Sequence, residues 1–155
     1  MKIFIFTGGG LAPALNSTIY GIVEAAQNLG WEVYGGLFGW ASLLKGGKHV
    51  RLDNLDLKPL LIHGGTILRS SRTNPFKVEG GVEQIKQTIK DLQIDGIIAI
   101  GGDDTLSAAR QPSSSLLPSA SSARRGRLFG RSDPNAELLV YAQAWSRKIE
   151  LNQTF

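Results

Sequence analysis

The run GGDDT at residues 101–105 combines residue types that could hold a phosphate and a metal ion together. It follows the apolar segment 97–100, whose β-branched residues are typical of a buried parallel strand. A strand that ends in glycines and turns into a helix near Thr105 exposes backbone N–H groups, which bind phosphate. Carboxylates repel a bare phosphate, but a Mg²⁺ ion between them takes carboxylate and phosphate oxygens together. The alternative is an ordinary turn, where Gly and Asp are common.

A second glycine-rich loop, TGGG at residues 7–10, follows a predicted strand over residues 2–6. Asn16 or Ser17 could cap the helix that comes next, whose apolar side chains recur on one face until Gly30 ends it. Residues 32–37 are then predicted to form another strand. The three glycines therefore lie beside a helix start, which is a second candidate for phosphate binding. A glycine-rich turn can also serve tight packing alone.

The third candidate is the loop RSSRTNP at residues 69–75. Its two arginines and its hydroxyl and amide side chains can donate hydrogen bonds to phosphate. Pro75 keeps the segment out of a helix. A solvated surface loop is the alternative. A helix is predicted from about Glu79 to Leu92, with apolar residues on one face and lysines on the other.

Strands that alternate with helices predict an α/β fold with a mostly parallel sheet. Ligands of such sheets bind beyond the carboxyl ends of the strands. In this interpretation the loops 7–16, 69–75 and 101–105 each follow a strand, so we expect them to converge on one crevice.

The composition limits the classes of protein that this chain can represent. It has 155 residues and no cysteine, which excludes disulfides and thiolate metal sites. Neither a membrane span nor a signal peptide is recognisable, so we expect a cytoplasmic protein without a membrane partner. Residues 1–110 carry 11 Lys and Arg against 10 Asp and Glu, whereas residues 111–155 carry 6 against 3. The net charge of +4 thus belongs mainly to the second part, where so short a basic run is typical of a solvated segment rather than of nucleic-acid binding.

Four motifs in order and in register resemble the 6-phosphofructokinase family. They are TGGGLAPALNS at 7–17, GW..LL at 39–44, GGTIL.SSRTNP at 64–75 and IAIGGDDTL at 98–106. The resemblance covers roughly residues 1–110 and implies a Rossmann-like fold. It also implies Mg²⁺-dependent phosphoryl transfer from pyrophosphate or ATP to the 1-hydroxyl of fructose 6-phosphate, by enzymes that are homo-oligomers when full-length.

The resemblance also implies roles for individual residues. Arg72 would be catalytic, because it would bridge the phosphates of the donor and stabilise charge on the transferring group. Asp103 would hold Mg²⁺. Trp40 matches an aromatic position near the nucleotide base in members that use ATP. Further contacts to the phosphoryl donor are implied for Gly10, Thr73, Gly102, Asp104 and Thr105.

Asp104 bears on the identity of the donor. Members that use ATP commonly have Gly after the metal-binding Asp, and an Asp there resembles the pyrophosphate-using branch. A carboxylate at this position would crowd and repel the α-phosphate of ATP, whereas pyrophosphate ends before it. Two departures from the family pattern lie close by. Residues 11–14 read LAPA where Asp-Ala-Pro-Gly is usual, and Arg69 stands where a Gly is usual.

The resemblance stops near Arg110. The family would continue to a Thr-Ile-Asp-Asn-Asp stretch, whose aspartate is the general base on the sugar hydroxyl, and residues 111–155 contain nothing similar. They form a Ser/Arg-rich tail for which we expect disorder or a changed reading frame, with one helix possible over residues 137–149. A genuine extension is the alternative. We therefore predict a donor-binding domain over 1–110 and, for the chain as it stands, little or no activity.

Two other functions stay open at this point. The chain could be a non-catalytic remnant that binds Mg-phosphates or a partner without turnover. An NAD-kinase-like or lipid-kinase-like enzyme shares the Gly-Gly-Asp-x-Thr pattern of residues 101–105, but the GGT and SRTNP segments argue against it.

Overall fold

The computed structural model describes residues 1–10, 12–102, 104–105 and 108, together with the backbone of residues 138–143. Within these residues the chain contains both helices and strands, as an α/β fold requires. No helix in this part of the chain is long and apolar enough to cross a membrane. In chain order the elements are β1 (Lys2–Thr7), α1 (Leu15–Asn28), β2 (Glu32–Gly36), β3 (His49–Arg51), α2 (Gly81–Leu92), β4 (Gly96–Gly101) and β5 (Leu138–Gln143).

The strands form one five-stranded sheet in the order β3-β2-β1-β4-β5. β1 pairs in parallel with β2 on one side and with β4 on the other, so that Ile5 lies opposite both Gly35 and Ile98. β4 pairs in parallel with β5, and β3 is antiparallel to β2 at the edge. The predicted α/β class with a mostly parallel sheet is confirmed.

The two helices cover opposite faces of this sheet. Because successive side chains of a strand point to opposite faces, β1 contributes to two separate cores. Ile3 and Ile5 belong to the core that includes Ile19 and Val23 of α1. The other core contains Ile85 of α2 together with the two buried phenylalanines of β1, Phe4 and Phe6. The carboxyl ends of β1 and β4 therefore lie between two packed layers.

Residues 52–68 contain no strand, so the third loop does not directly follow one. A 3₁₀ turn at Lys58–Ile62 lies there instead, and residues 63–75 continue without a strand. Pro59 and the pair Gly64-Gly65 interrupt the apolar residues between positions 57 and 68, which explains why no strand forms there. The expectation that all three loops follow strands is wrong for residues 69–75.

The helix expected over residues 137–149 is also wrong where the structure describes it. Leu138–Gln143 is a strand whose residues pair with β4 from Gly96 to Gly101. The sequence LLVYAQ is rich in strand-favouring residues, and its apolar spacing makes a poor helical face. The remainder of residues 111–155 lies outside the described residues, so the boundary at residue 110 and the nature of the tail stay predictions.

Asp53 stabilises the antiparallel edge of the sheet by hydrogen bonds to β2 and β3. Its carboxylate accepts the backbone N–H of Val33 in β2 at 3.0 Å and two guanidinium N–H groups of Arg51 at 2.8 to 3.1 Å. Burial alone would raise the pKa of Asp53, but the hydrogen bonds from Arg51 and Val33 outweigh it and hold the pKa below its ordinary value. The ionised carboxylate therefore stabilises the fold.

We expect Asp53→Asn to lower the free energy of unfolding at pH 7 by about 1 kcal/mol, because an amide is a weaker partner for a guanidinium. Since the pKa is lower in the folded state, the contribution of Asp53 is complete above the ordinary Asp value and is lost as the pH falls through the folded pKa. Urea unfolding between pH 3 and pH 7 measures it. Glu79→Gln, at an exposed residue, is the control. An equal loss of stability on acidification in wild type and Asp53→Asn would contradict the assignment.

Candidate functional site

The two glycine-rich loops pack directly against each other at the carboxyl ends of β1 and β4. The N–H of Gly8 donates to Ile100 O at 2.8 Å, which continues the pairing of the strands by one residue. A Cβ on Gly8 would lie 2.5 Å from Oγ1 of Thr105, and a Cβ on Gly101 would lie 2.6 Å from Gly8 O. Only glycine allows the backbones to approach so closely around the Thr105 side chain.

The outer glycines of the same loops face open space. Gly10 and Gly102 are exposed, and apart from the adjoining residues no atom of the described chain lies within 4 Å of the position that a Cβ would take on either glycine. Gly9 has a φ of +82°, and its Cβ position is 3.7 Å from the N atom of Gly102. The exposed backbone of the first loop therefore adjoins that of the second, where a ligand could reach both.

The third loop is held against the first by side-chain hydrogen bonds. The Thr7 hydroxyl donates to Arg69 O at 2.8 Å, and the Ser71 hydroxyl donates to Phe38 O at 2.6 Å. The Cβ position of Gly39 is 3.7 Å from Ser71 N and 3.8 Å from Gly8 Cα. The structure thus brings the three predicted loops together, although the third reaches the site without a preceding strand.

Within the third loop the predicted residues differ in exposure. Arg72 is exposed, and Thr73 is half-buried with its N–H donating to the Ser71 hydroxyl at 3.3 Å. Asn74 accepts the N–H of Phe76 at 2.9 Å and begins the 3₁₀ turn Pro75–Lys77. These local bonds fix the backbone on both sides of Thr73, while the Arg72 side chain points to the surface.

The residues after Gly102 also divide into exposed and buried. Asp104 is exposed, whereas Thr105 is 5% exposed and Trp40 is 6% exposed. The Trp40 indole N–H is 3.4 Å from Thr105 O, and its ring lies 4.7 Å from that of Phe6. Trp40 therefore lies beneath the loop as part of the core. Asp103 lies outside the described residues.

Comparison with protein families matches residues 2–118 to the phosphofructokinase family, which is three quarters of the chain. The chain belongs to the phosphofructokinase family. It is 46% identical over 112 residues to the pyrophosphate–fructose 6-phosphate 1-phosphotransferase of Amycolatopsis mediterranei, which covers 72% of this chain and 33% of that protein. It is 39% identical over 119 residues to an ATP-dependent 6-phosphofructokinase of Corynebacterium efficiens, covering 76% and 34%. The chain thus spans about a third of the length of these relatives.

A solved structure supports the same assignment. Phosphofructokinase of Saccharomyces cerevisiae superposes with a TM-score of 0.67 at 29% identity, over 74% of this chain and 16% of that chain. The phosphofructokinase relatives therefore include proteins named for either phosphoryl donor, and the names alone do not assign a donor to this chain.

Arg69 occupies a backbone conformation that glycine adopts without strain. Its φ is +57°, and the neighbouring Phe38 has a φ of +67°; both values lie in the left-handed region. The Arg69 guanidinium lies 5.3 Å from the centre of the Phe38 ring. This cation–π contact partly offsets the strain of two non-glycine residues with positive φ.

The polar side chains that connect the loops were not predicted from the sequence. Asn16 was predicted as a possible cap of α1, but the N-cap is Ala14 and no side chain caps the helix. Asn16 and Thr7 are instead buried polar residues that bind the segment before Arg69. Their only signal in the sequence is a polar residue at the buried end of an element, which does not identify its partner.

The described residues contain no group of three or more His, Asp or Glu side chains that could hold a metal ion. A Mg²⁺ ion needs only one or two carboxylates when phosphate oxygens and water complete its shell. The site offers the exposed Asp104 beside two exposed glycines, which is compatible with an ion that arrives with a phosphate.

We expect Gly8→Ala to destabilise the fold by about 2 kcal/mol, because the new methyl group would overlap the Thr105 side chain. Gly10→Ala is the matched control, since it changes the same loop where space is open, and it should cost less than about 0.5 kcal/mol. Thermal or urea unfolding of both variants provides the comparison. Equal effects of the two substitutions would show that the loops do not pack as described.

Relief of backbone strain predicts that Arg69→Gly is more stable than Arg69→Ala by about 1 kcal/mol. Both variants lose the guanidinium and its contact with Phe38, so their difference isolates the cost of a Cβ at positive φ. Urea unfolding at pH 7 measures that difference. An Ala variant as stable as the Gly variant would be incompatible with a left-handed Arg69.

Proposed function

We propose that residues 1–110 form the donor-binding part of a Mg²⁺-dependent phosphotransferase that converts fructose 6-phosphate to fructose 1,6-bisphosphate. Membership of the phosphofructokinase family makes this the first function to test. The observation that carries it is the meeting of three loops around exposed backbone, with Gly10 and Gly102 open and Arg72 exposed in the third loop.

In this proposal the donor phosphates contact the backbone N–H groups of Gly10 and Gly102. Glycine at both positions lets the phosphate oxygens approach the main chain without a side chain in the way. Arg72 supplies a planar guanidinium fork that binds two phosphate oxygens and stabilises the charge of the transferring group. Thr73 lines the same pocket. Asp103 holds the Mg²⁺ ion, which neutralises phosphate charge when bound.

Thr105 contributes to this site from below. Its hydroxyl is packed against Gly8 and Gly101, so we assign its effect on the donor to the placement of the two loops and of the backbone near Asp104. Because the Thr105 side chain is almost fully buried between the two loops, its replacement would displace both of them.

We favour pyrophosphate as the donor over ATP. Asp104 places an exposed carboxylate next to Gly102, where the α-phosphate of a nucleotide would meet a like charge. Trp40, the aromatic residue expected near a nucleotide base, is buried against Phe6 and presents no open face for stacking. ATP is the second candidate, because relatives named as ATP-dependent enzymes match nearly the same part of the chain.

Turnover requires more than a donor site. The resemblance assigns the general base to a Thr-Ile-Asp-Asn-Asp stretch, which does not occur in the 155 residues. We therefore expect donor binding without appreciable formation of fructose 1,6-bisphosphate by this chain, and we propose that the catalytic form is a cytoplasmic homo-oligomer. A non-catalytic phosphate-binding protein is the competing function. Measurable turnover by the purified chain would overturn our expectation.

We expect calorimetric titration with Mg-pyrophosphate to show binding that Arg72→Ala weakens at least tenfold, because a charged hydrogen bond contributes about 1.5–3 kcal/mol. Arg72→Lys should recover only part of the affinity, since an ammonium group lacks the fork. Lys58→Ala removes a distant exposed cation and is the control for a loss of overall charge. Absence of measurable binding of both Mg-pyrophosphate and Mg-ATP to the wild-type chain would refute the proposed donor site.

Asp104 gives a separate test of donor preference. Asp104→Gly should raise the affinity for Mg-ATP relative to Mg-pyrophosphate, because it removes both the bulk and the charge next to Gly102. Asp104→Asn keeps the bulk and removes the charge, and therefore distinguishes the effect of side-chain size from the effect of charge. Glu83→Gln, at an exposed carboxylate of α2, is the control. An unchanged ratio of the two affinities in Asp104→Gly would remove Asp104 from donor selection.

A further inference from the structure

Asn16 is the polar side chain that makes the most long-range backbone contacts near the site. It is 3% exposed and lies in the first turn of α1, directly after the glycine loop. Its amide Nδ2 donates to His63 O at 3.0 Å and lies 3.4 Å from Gly64 O. Its Oδ1 accepts the N–H of Ile67 at 2.9 Å. The backbone N–H of Asn16 donates to Gly65 O at 3.1 Å. One residue therefore binds both sides of the segment 63–67.

The segment 63–67 leads directly to the third loop. The hydroxyls of Thr66 and Thr7 are 2.9 Å apart, and the Thr66 hydroxyl also accepts the N–H of Leu68 at 3.1 Å. Because the single hydroxyl proton of Thr7 is given to Arg69 O, the Thr66 hydroxyl donates to Thr7. The hydrogen bonds of Asn16 and those of Thr66 are joined by the backbone of residues 65–67, and together they connect the start of α1 to Arg69, three residues before Arg72.

Side chains rather than a sheet ladder determine the path of this segment. Residues 63–69 contain neither helix nor strand, so no regular pattern of backbone bonds fixes their position. A primary amide offers donor N–H groups and an acceptor oxygen at the same branch point, which matches two carbonyls on one side and an N–H on the other. Residues 63 and 64 are exposed and residues 65–67 are half-buried, so the bonds from the buried Asn16 attach a surface segment to the start of α1.

We propose that Asn16 is a positioning residue that sets the distance between the glycine loop and the Arg72 loop, so that both can contact one donor molecule. This inference rests on the proposed function of the site. Asn16 does not itself contact the donor, because it is buried beneath the loops. It acts through the segment 63–67 and through Thr66 on the backbone at Arg69.

The test uses the full 155-residue chain and compares Asn16→Ala with Val23→Ala. Val23 is equally buried on the same helix, but it belongs to the apolar core and not to the hydrogen-bond series. Both variants lose stability, and only Asn16→Ala should release the loop. All measurements are made at a temperature and osmolyte concentration at which each variant is folded, as judged by its unfolding curve.

Two measurements separate the inference from the proposed function. Hydrogen exchange of peptides spanning residues 63–75 should become faster in Asn16→Ala than in Val23→Ala, while exchange of β1 and β4 stays similar in the two variants. The dissociation constant for Mg-pyrophosphate should rise about tenfold or more in Asn16→Ala and less than about twofold in Val23→Ala, because small displacements of binding groups are costly. If wild type binds no donor, the proposed function fails and the exchange measurement alone decides on Asn16.

Asn16→Asp adds a pH profile that a merely destabilising substitution would lack. An ionised carboxylate faces two carbonyls and cannot donate, whereas the protonated form donates once and accepts once, as the amide does. We expect the protection of residues 63–75 in Asn16→Asp, taken relative to wild type at each pH, to rise as the pH falls from 7 to 5. Equal exchange and equal donor affinity in Asn16→Ala and Val23→Ala, or a flat profile in Asn16→Asp, would overturn the inference.

Discussion

The close contact between the backbones of Gly8 and Gly101 around the Thr105 side chain determines the geometry of everything above the sheet. β1 and β4 are adjacent parallel strands, so their carboxyl ends emerge side by side. A side chain on either glycine would force the two turns apart. With that contact in place, the next residues of each loop lie at the surface with their backbone exposed, which is what a phosphate site requires. Binding of the metal ion and the phosphoryl donor at Gly10 and Asp103 would therefore depend on the packing of Gly8 and Gly101, which lie two residues earlier in each loop.

The site combines rigid and strained parts in a consistent way. Its floor consists of well-packed groups, including the Trp40 ring, the Thr105 side chain and the end of β1. Its rim carries both non-glycine residues of positive φ that adjoin the loops, Phe38 and Arg69, in contact with each other. Strained backbone persists only where the surroundings hold it, and here the floor and the Thr7 hydroxyl do so.

The sequence allows the elements of the sheet to be predicted where one strong periodic signal determines them. β1, α1, β2, α2 and β4 follow from buried runs, helical apolar spacing and glycine stops, and the meeting of the two glycine-rich loops follows from the parallel pairing of β1 with β4. β3 has three exposed residues and no apolar pattern, so its pairing depends on β2 and on Asp53. The burial of Trp40 and the partners of Asn16 depend on contacts between residues about 50 or more apart, which local patterns do not contain. The helix expected over residues 137–149 is a different case, because the strand-favouring residues of β5 and their poor helical spacing are visible in the sequence itself.

The central place of β1 in the sheet has a consequence for how the chain acquires its structure during synthesis. β1 precedes both of its partner strands in the chain, and its pairing with β2 needs only residues up to Gly36. Its other edge pairs with β4, which ends at Gly101. At a synthesis rate of roughly 5–20 residues per second, the edge of β1 that pairs with β4 stays unpaired for on the order of ten seconds. During this interval the nascent chain presents the apolar strand KIFIFT with one row of backbone groups unpaired, which makes this the stage most open to association with other chains.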